Sequence, residues 1–103
     1  MTLNDQKLLF FQIVDEITSI QLSKGGDYAN TDRLSNFKLA GEITGVGAEL
    51  NCLNMIATKV ARLGVLLNSK EQPNNESIDD TMLDLISYSI LLKMIRTELN
   101  QTK

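Results

Sequence analysis

Glu76, Asp80 and Asp84 stand four residues apart. On a helix that spacing places three carboxylates along one side. Oxygen donors in such a row could hold a divalent cation, in the manner of magnesium sites. A metal site here would rest on Asp80 and Asp84. A plainer role for Asp79 and Asp80 is to complement the positive end of a helix dipole. Asp84 has different surroundings. It sits in an apolar run with Met82, Leu83, Leu85, Ile86, Ile90, Leu91, Leu92, Met94 and Ile95. A carboxylate buried there needs a partner. Lys59 is the matching anomaly, because at 100° per residue it falls among Cys52, Met55, Leu63 and Leu66. The simplest solution sets Lys59 and Asp84 face to face across packed helices. Either charge alone would be costly to bury, whereas a hydrogen-bonded pair is tolerable. Such a pair is either an internal salt bridge that fixes helix register or the lining of a polar slot that receives a ligand.

A second concentration of chemistry follows the first helical stretch. Lys24, Gly25 and Gly26 offer a cation and flexible backbone amides, and Asp27, Tyr28, Asn30, Arg33 and Asn36 add polar groups close by. That mixture can grip a phosphate, a ribose and a base edge. A helix C-cap accounts for Gly25-Gly26 equally well, and no Gly-x-x-x-x-Gly-Lys-Ser/Thr loop is present. Arg33 and Arg62 are the better phosphate candidates, since a planar guanidinium can bind two oxygens at once. The candidate ligand-binding set is therefore Lys24, Asp27, Tyr28, Arg33, Asn36, Lys59, Arg62 and Asp84, with Tyr28 stacking on or bordering a base. No residue is assigned a catalytic role.

Composition removes several classes. The chain has 103 residues and no histidine, which excludes histidine triads, histidine metal sites and the usual general base near neutral pH. A net charge of -3 argues against nonspecific nucleic-acid binding, which usually shows a basic stripe. The single Cys52 cannot close an internal disulfide, so a reducing compartment is expected. It lies in an apolar helical run and reads as a small buried hydrophobe rather than a nucleophile. The start, Met-Thr-Leu-Asn-Asp, shows no basic segment before an apolar one, so no signal peptide is expected. With no unbroken run of about 18 apolar residues, no membrane span is expected.

The elements that must position these groups read as helices throughout. At this length one domain, residues 1–103, is expected. Thr2 with Asp5 three residues later marks a helix start, and the first helix runs from about Leu3 to Ser23. Leu8, Phe11, Ile13, Val14, Ile17 and Ile20 form its apolar face, which Leu9 and Phe10 widen. Gly25-Gly26 ends it. Thr31 or Asp32 can cap a short helix from Arg33 to about Ile43, which Thr44-Gly45 breaks. A third helix spans about Ala48 to Asn68, with Asn51, Asn54, Thr58 and Arg62 opposite its apolar face. Pro73 lies in an exposed loop. Ser77 caps the fourth helix, which runs to about Asn100 and is apolar on nearly all sides beyond Asp80. Such a helix is buried on most sides. The expected architecture is an all-α, four-helix, single-domain bundle, and two wide apolar faces in so short a chain point to a homo-oligomer.

Three stretches carry a family resemblance. Lys24-Gly25-Gly26-Asp27-Tyr28, Thr58 to Leu63 and Glu76 to Tyr88 resemble the nucleotide-modification-associated domain 1 family, short proteins common in phages and prophages. The resemblance covers roughly Lys24 to Leu92. It implies an all-α fold and a link to nucleotides, with no catalytic residue to carry over. The acid-rich helix also resembles MazG-type all-α nucleotide pyrophosphohydrolases, which hold magnesium with Glu-x-x-Glu on one helix and Glu-x-x-Asp on another. Here Asp15-Glu16 has no acid three or four residues on, and the fourth helix offers Asp80-x-x-x-Asp84. Three classes of function follow as expectations. The first is a cytoplasmic nucleotide-binding protein, for a phage protein an anti-defence sponge that sequesters a host immune nucleotide or cyclic nucleotide. The second is a magnesium-dependent nucleotide pyrophosphohydrolase. The third is a structural or partner-binding helical bundle. The missing histidine and the incomplete acid set favour binding over turnover.

Overall fold

The structure, a computed structural model, describes residues 1–27, 34–70 and 75–101, with the side chains of residues 24–27 and 75 excepted. Among the described residues there are four helices and no strand: α1 (Leu3–Asp27), α2 (Ser35–Thr44), α3 (Gly47–Leu67) and α4 (Asn75–Gln101). The all-α expectation is met. The chain forms two compact units, Met1–Thr31 and Asp32–Lys103.

The first unit is α1. Its start is the reciprocal cap that Thr2 and Asp5 announce. The Thr2 amide donates to Asp5 Oδ2 at 3.0 Å, and the Asp5 amide donates to Thr2 Oγ1 at 3.1 Å. The Thr2 backbone N–H, and after it the Thr2 hydroxyl, hold the Asp5 carboxyl below its ordinary range. The C-terminus departs from expectation, because the helix continues through Gly25 and Gly26 to Asp27. Glycine in a helix interior costs about 1 kcal/mol relative to alanine, which weakens a helix without stopping it. It ends a helix when the chain turns left-handed there, and among the described glycines only Gly45 and Gly47 have positive φ.

The second unit packs α2 and α4 on α3. Leu34, Cys52 and Ile95 form its buried centre, with Phe37, Ala48, Leu91 and Leu92 packed around them. Phe37 of α2 meets Tyr88 of α4 edge to face, with ring centroids 6.3 Å apart. The break after α2 falls at Gly45 as expected. Its φ of 79° lets its amide reach back to the carbonyls of Glu42 and Gly41. Gly41 is a glycine for a different reason. A Cβ there would lie 2.3 Å from the carbonyl carbon of Gly47 and 2.6 Å from the amide nitrogen of Ala48. The two helix backbones therefore touch at this corner. Leu34 stands at the cap position of α2 and makes no side-chain capping bond, while the expected caps Thr31 and Asp32 lie outside the described residues.

α4 begins at Asn75, two residues before the expected cap at Ser77. Ser77 is inside the helix, where its carbonyl accepts from the Thr81 hydroxyl at 2.6 Å. The helix is also less covered than its apolar sequence implies. Ile95 is buried, but Met82, Ile86, Met94 and Leu99 are exposed. α3 supplies a further difference. Among the described residues it alone is long and apolar enough, by length and composition, to cross a membrane. Glu49, Lys59 and Arg62 interrupt its apolar run. All three charged residues of α3 are bonded to α4, as set out below.

Cys52 is fully buried, as expected, and its Sγ–H donates to the Tyr88 carbonyl at 3.4 Å. Burial pushes the thiol pKa up. In water at neutral pH, a soluble disulfide reagent should modify Cys52 on the order of 1,000-fold more slowly than in denaturant, because attack waits for opening of the core. Stopped-flow absorbance measures both rates, and equal rates would contradict the burial.

Candidate functional site

The α3–α4 interface holds the polar chemistry of the second unit. The helices run antiparallel: as residue number rises along α3 it falls along α4. Glu49 pairs with Arg96, Cys52 with Tyr88, Lys59 with Asp84 and Arg62 with Thr81.

Lys59 and Asp84 meet as the wheel positions require. Lys59 Nζ lies 3.0 Å from Asp84 Oδ2, and the two side chains are 23% and 32% exposed. The pair sits at the rim of the interface, partly screened by solvent, rather than in a dry core. One turn further along α3, the Arg62 Nε donates to Thr81 Oγ1 at 3.2 Å. Thr81 is buried, and its own hydroxyl donates a hydrogen bond to the Ser77 carbonyl. Arg62 was expected on the polar side of α3, away from the packing. It is exposed, yet its side chain reaches Thr81 of α4. Its hydrogen bond uses Nε, so the Nη groups carry the donors that an oxyanion would meet.

At the other end of the interface Arg96 Nη1 donates to both Glu49 carboxylate oxygens, at 3.1 and 2.9 Å. Lys38 of α2 pairs with Glu98 of α4. Sequence reasoning named neither pair, since surface residues so far apart in the chain carry no mutual signal. Thr81 was within reach of inference. It stands three residues before Asp84, as Arg62 stands three after Lys59, so antiparallel packing of one pair implies the other.

The remaining candidates divide by position. Asn36 is exposed on α2, and Asp80 is exposed on α4. Tyr28 and Arg33 lie outside the described residues, as do the side chains of Lys24 and Asp27. For the metal reading, Asp80 and Asp84 come with no third acid, cysteine or histidine converging among the described residues. Asp84 has the Lys59 ammonium beside it. The arrangement at Lys59, Arg62, Thr81 and Asp84 is two cations held one turn apart, each fixed by α4. It suits an anionic group at the rim of the interface. No protein-family model, curated protein or solved structure matches the chain.

Proposed function

We propose that the chain is a nucleotide-binding module that grips phosphate at the rim of the α3–α4 interface. The observation that carries this reading is the fixed side-by-side placement of Lys59 and Arg62 in a chain of net charge -3. A helical bundle needs no exposed arginine anchored to a buried threonine. Anchoring reduces the ordering cost when an anion binds, and guanidinium donors suit phosphate oxygens. Arg62 would hold phosphate, and Asp84 would keep the Lys59 ammonium beside it. The resemblance to the phage-associated nucleotide family supports the same ligand class. For such a protein the function is sequestration of a nucleotide signal, an anti-defence sponge, with no turnover. The acid set of the sequence, with Asp80-x-x-x-Asp84 on one helix and no acid three or four residues after Asp15-Glu16, supports binding over pyrophosphate hydrolysis.

Calorimetry with nucleoside mono-, di- and triphosphates and cyclic dinucleotides tests the proposal. At least one should bind the wild type, and Arg62→Ala should weaken it about tenfold, the loss of one charge-assisted hydrogen bond. Arg62→Ala also removes the bond to Thr81, so binding is measured well below the melting temperature of the variant. No binding at millimolar concentration, or equal binding by the variant, would overturn the site. Chromatography of the same mixtures with magnesium reads turnover directly, and cleaved product would favour the pyrophosphohydrolase alternative.

A further inference from the structure

The charges of α3 all turn towards α4, where Glu49, Lys59 and Arg62 each find a partner. What they leave behind is a charge-free stripe along another side of α3: Leu50, Leu53, Ala57, Val60, Gly64 and Leu67. The spacing alternates three and four, the seam of a two-helix coiled coil. All six residues are exposed. The four large ones lie between 48% and 66% exposed. A Cβ added at Gly64 would meet nothing within 4 Å, so the notch there is open.

We propose that this stripe pairs with the same stripe of a second copy, antiparallel, about a twofold axis. The order of side-chain sizes supports that occupant. In an antiparallel pairing centred on the stripe, Leu53 of one copy falls opposite Gly64 of the other, and Ala57 falls opposite Val60. Large meets small at both positions, and twofold symmetry repeats each match, so the surface is complementary to itself. The ends bring Leu50 against Leu67. The area is sufficient. With these exposures the six residues present roughly 500 Å² of apolar surface, at the upper end of what a monomer leaves uncovered. Two copies together reach about 1,000 Å², the lower bound for a specific interface. An interface at that lower bound belongs to the weak, transient class, for which dissociation in the micromolar range is expected. The pairing does not depend on the nucleotide reading.

Sedimentation of the full chain from about 1 to 100 µM tests the proposal around that range. The mass should rise with concentration from 11.5 kDa towards twice that value. Val60→Glu should remain monomeric throughout, with unchanged helical circular dichroism. Gly64→Leu should weaken association at least about tenfold by overfilling the notch opposite Leu53. Leu53→Ala combined with Gly64→Leu should restore it to within a few-fold of the wild type, since the large and small partners have exchanged places. A wild type that stays monomeric, an oligomer indifferent to Val60→Glu, or a double variant no better than Gly64→Leu each overturns the pairing. Loss of helical structure in Val60→Glu would mean that the stripe is covered within its own chain. Sedimentation of the wild type with phosphatidylcholine vesicles would mean that it faces lipid. Either result also overturns the pairing.

Discussion

Gly41→Ala should destabilise the second unit by about 3 kcal/mol or more, the largest loss expected from any single methyl group in this protein. The added Cβ would sit 2.3 to 2.7 Å from three backbone atoms of Gly47 and Ala48. A flexible side chain could swing aside, but a helix backbone cannot. The corner between α2 and α3 must open, and the packing of Leu34 and Phe37 around Cys52 opens with it. Gly45 provides the control. Its φ of 79° disfavours a Cβ, yet nothing lies within 4 Å of the position. Gly45→Ala should cost about 1 kcal/mol, from backbone strain alone. Denaturant unfolding of both variants gives the comparison. A Gly41→Ala loss no larger than that of Gly45→Ala would mean that the two helices do not touch.

The second large effect is expected at the Lys59–Asp84 pair. Lys59→Met and Asp84→Leu should each cost about 2 kcal/mol. This lies between the small worth of an exposed pair and the larger penalty of orphaning a buried charge. The double variant should lose less than the sum of the two, by about 1–2 kcal/mol, because the second substitution breaks a contact that the first has already removed. The partial exposure sets this scale, since solvent at the rim screens whichever charge remains. Strict additivity in the double-mutant cycle would contradict the 3.0 Å contact.

Some of this architecture was legible in the residues alone, wherever a local rule and a tertiary need agreed. Thr2 and Asp5 cap α1 because both partners of the cap lie within one turn. Gly45 ends α2 because the turn there requires positive φ. Lys59 and Asp84 found each other because two charges on apolar faces have few other solutions. The departures share a different cause. Gly25-Gly26 carries the same local signal as Gly45, but a glycine permits a left-handed turn without demanding one. Ser77 can cap a helix, yet α4 had already begun at Asn75. Gly41 reads in sequence as a weak point inside a helix, and only the approach of a second backbone explains it. Arg62 shows the limit of wheel positions, because a side chain with a long stem can act away from the face on which its Cα stands. Apolar content likewise marks surface to be covered without saying by what, so α4 was expected to be more deeply buried than it is.

The two-residue connection between α2 and α3, Gly45 and Val46, has a consequence in time. Bringing α2 against α3 closes a very short loop, so little chain entropy is lost before contact is made. α4 must instead return across the longer segment from Asn68 to Asn74. The α2–α3 corner should therefore assemble in the transition state for folding, and α4 should dock after it. Lys59 and Arg62 would spend that interval in water and meet Asp84 and Thr81 only at the final step. In stopped-flow kinetics, Ala48→Gly should then slow folding, with φ above about 0.5. Asp84→Leu should mainly speed unfolding, with φ near zero. The interface proposed to hold phosphate would be the last part of the unit to form and the first to open.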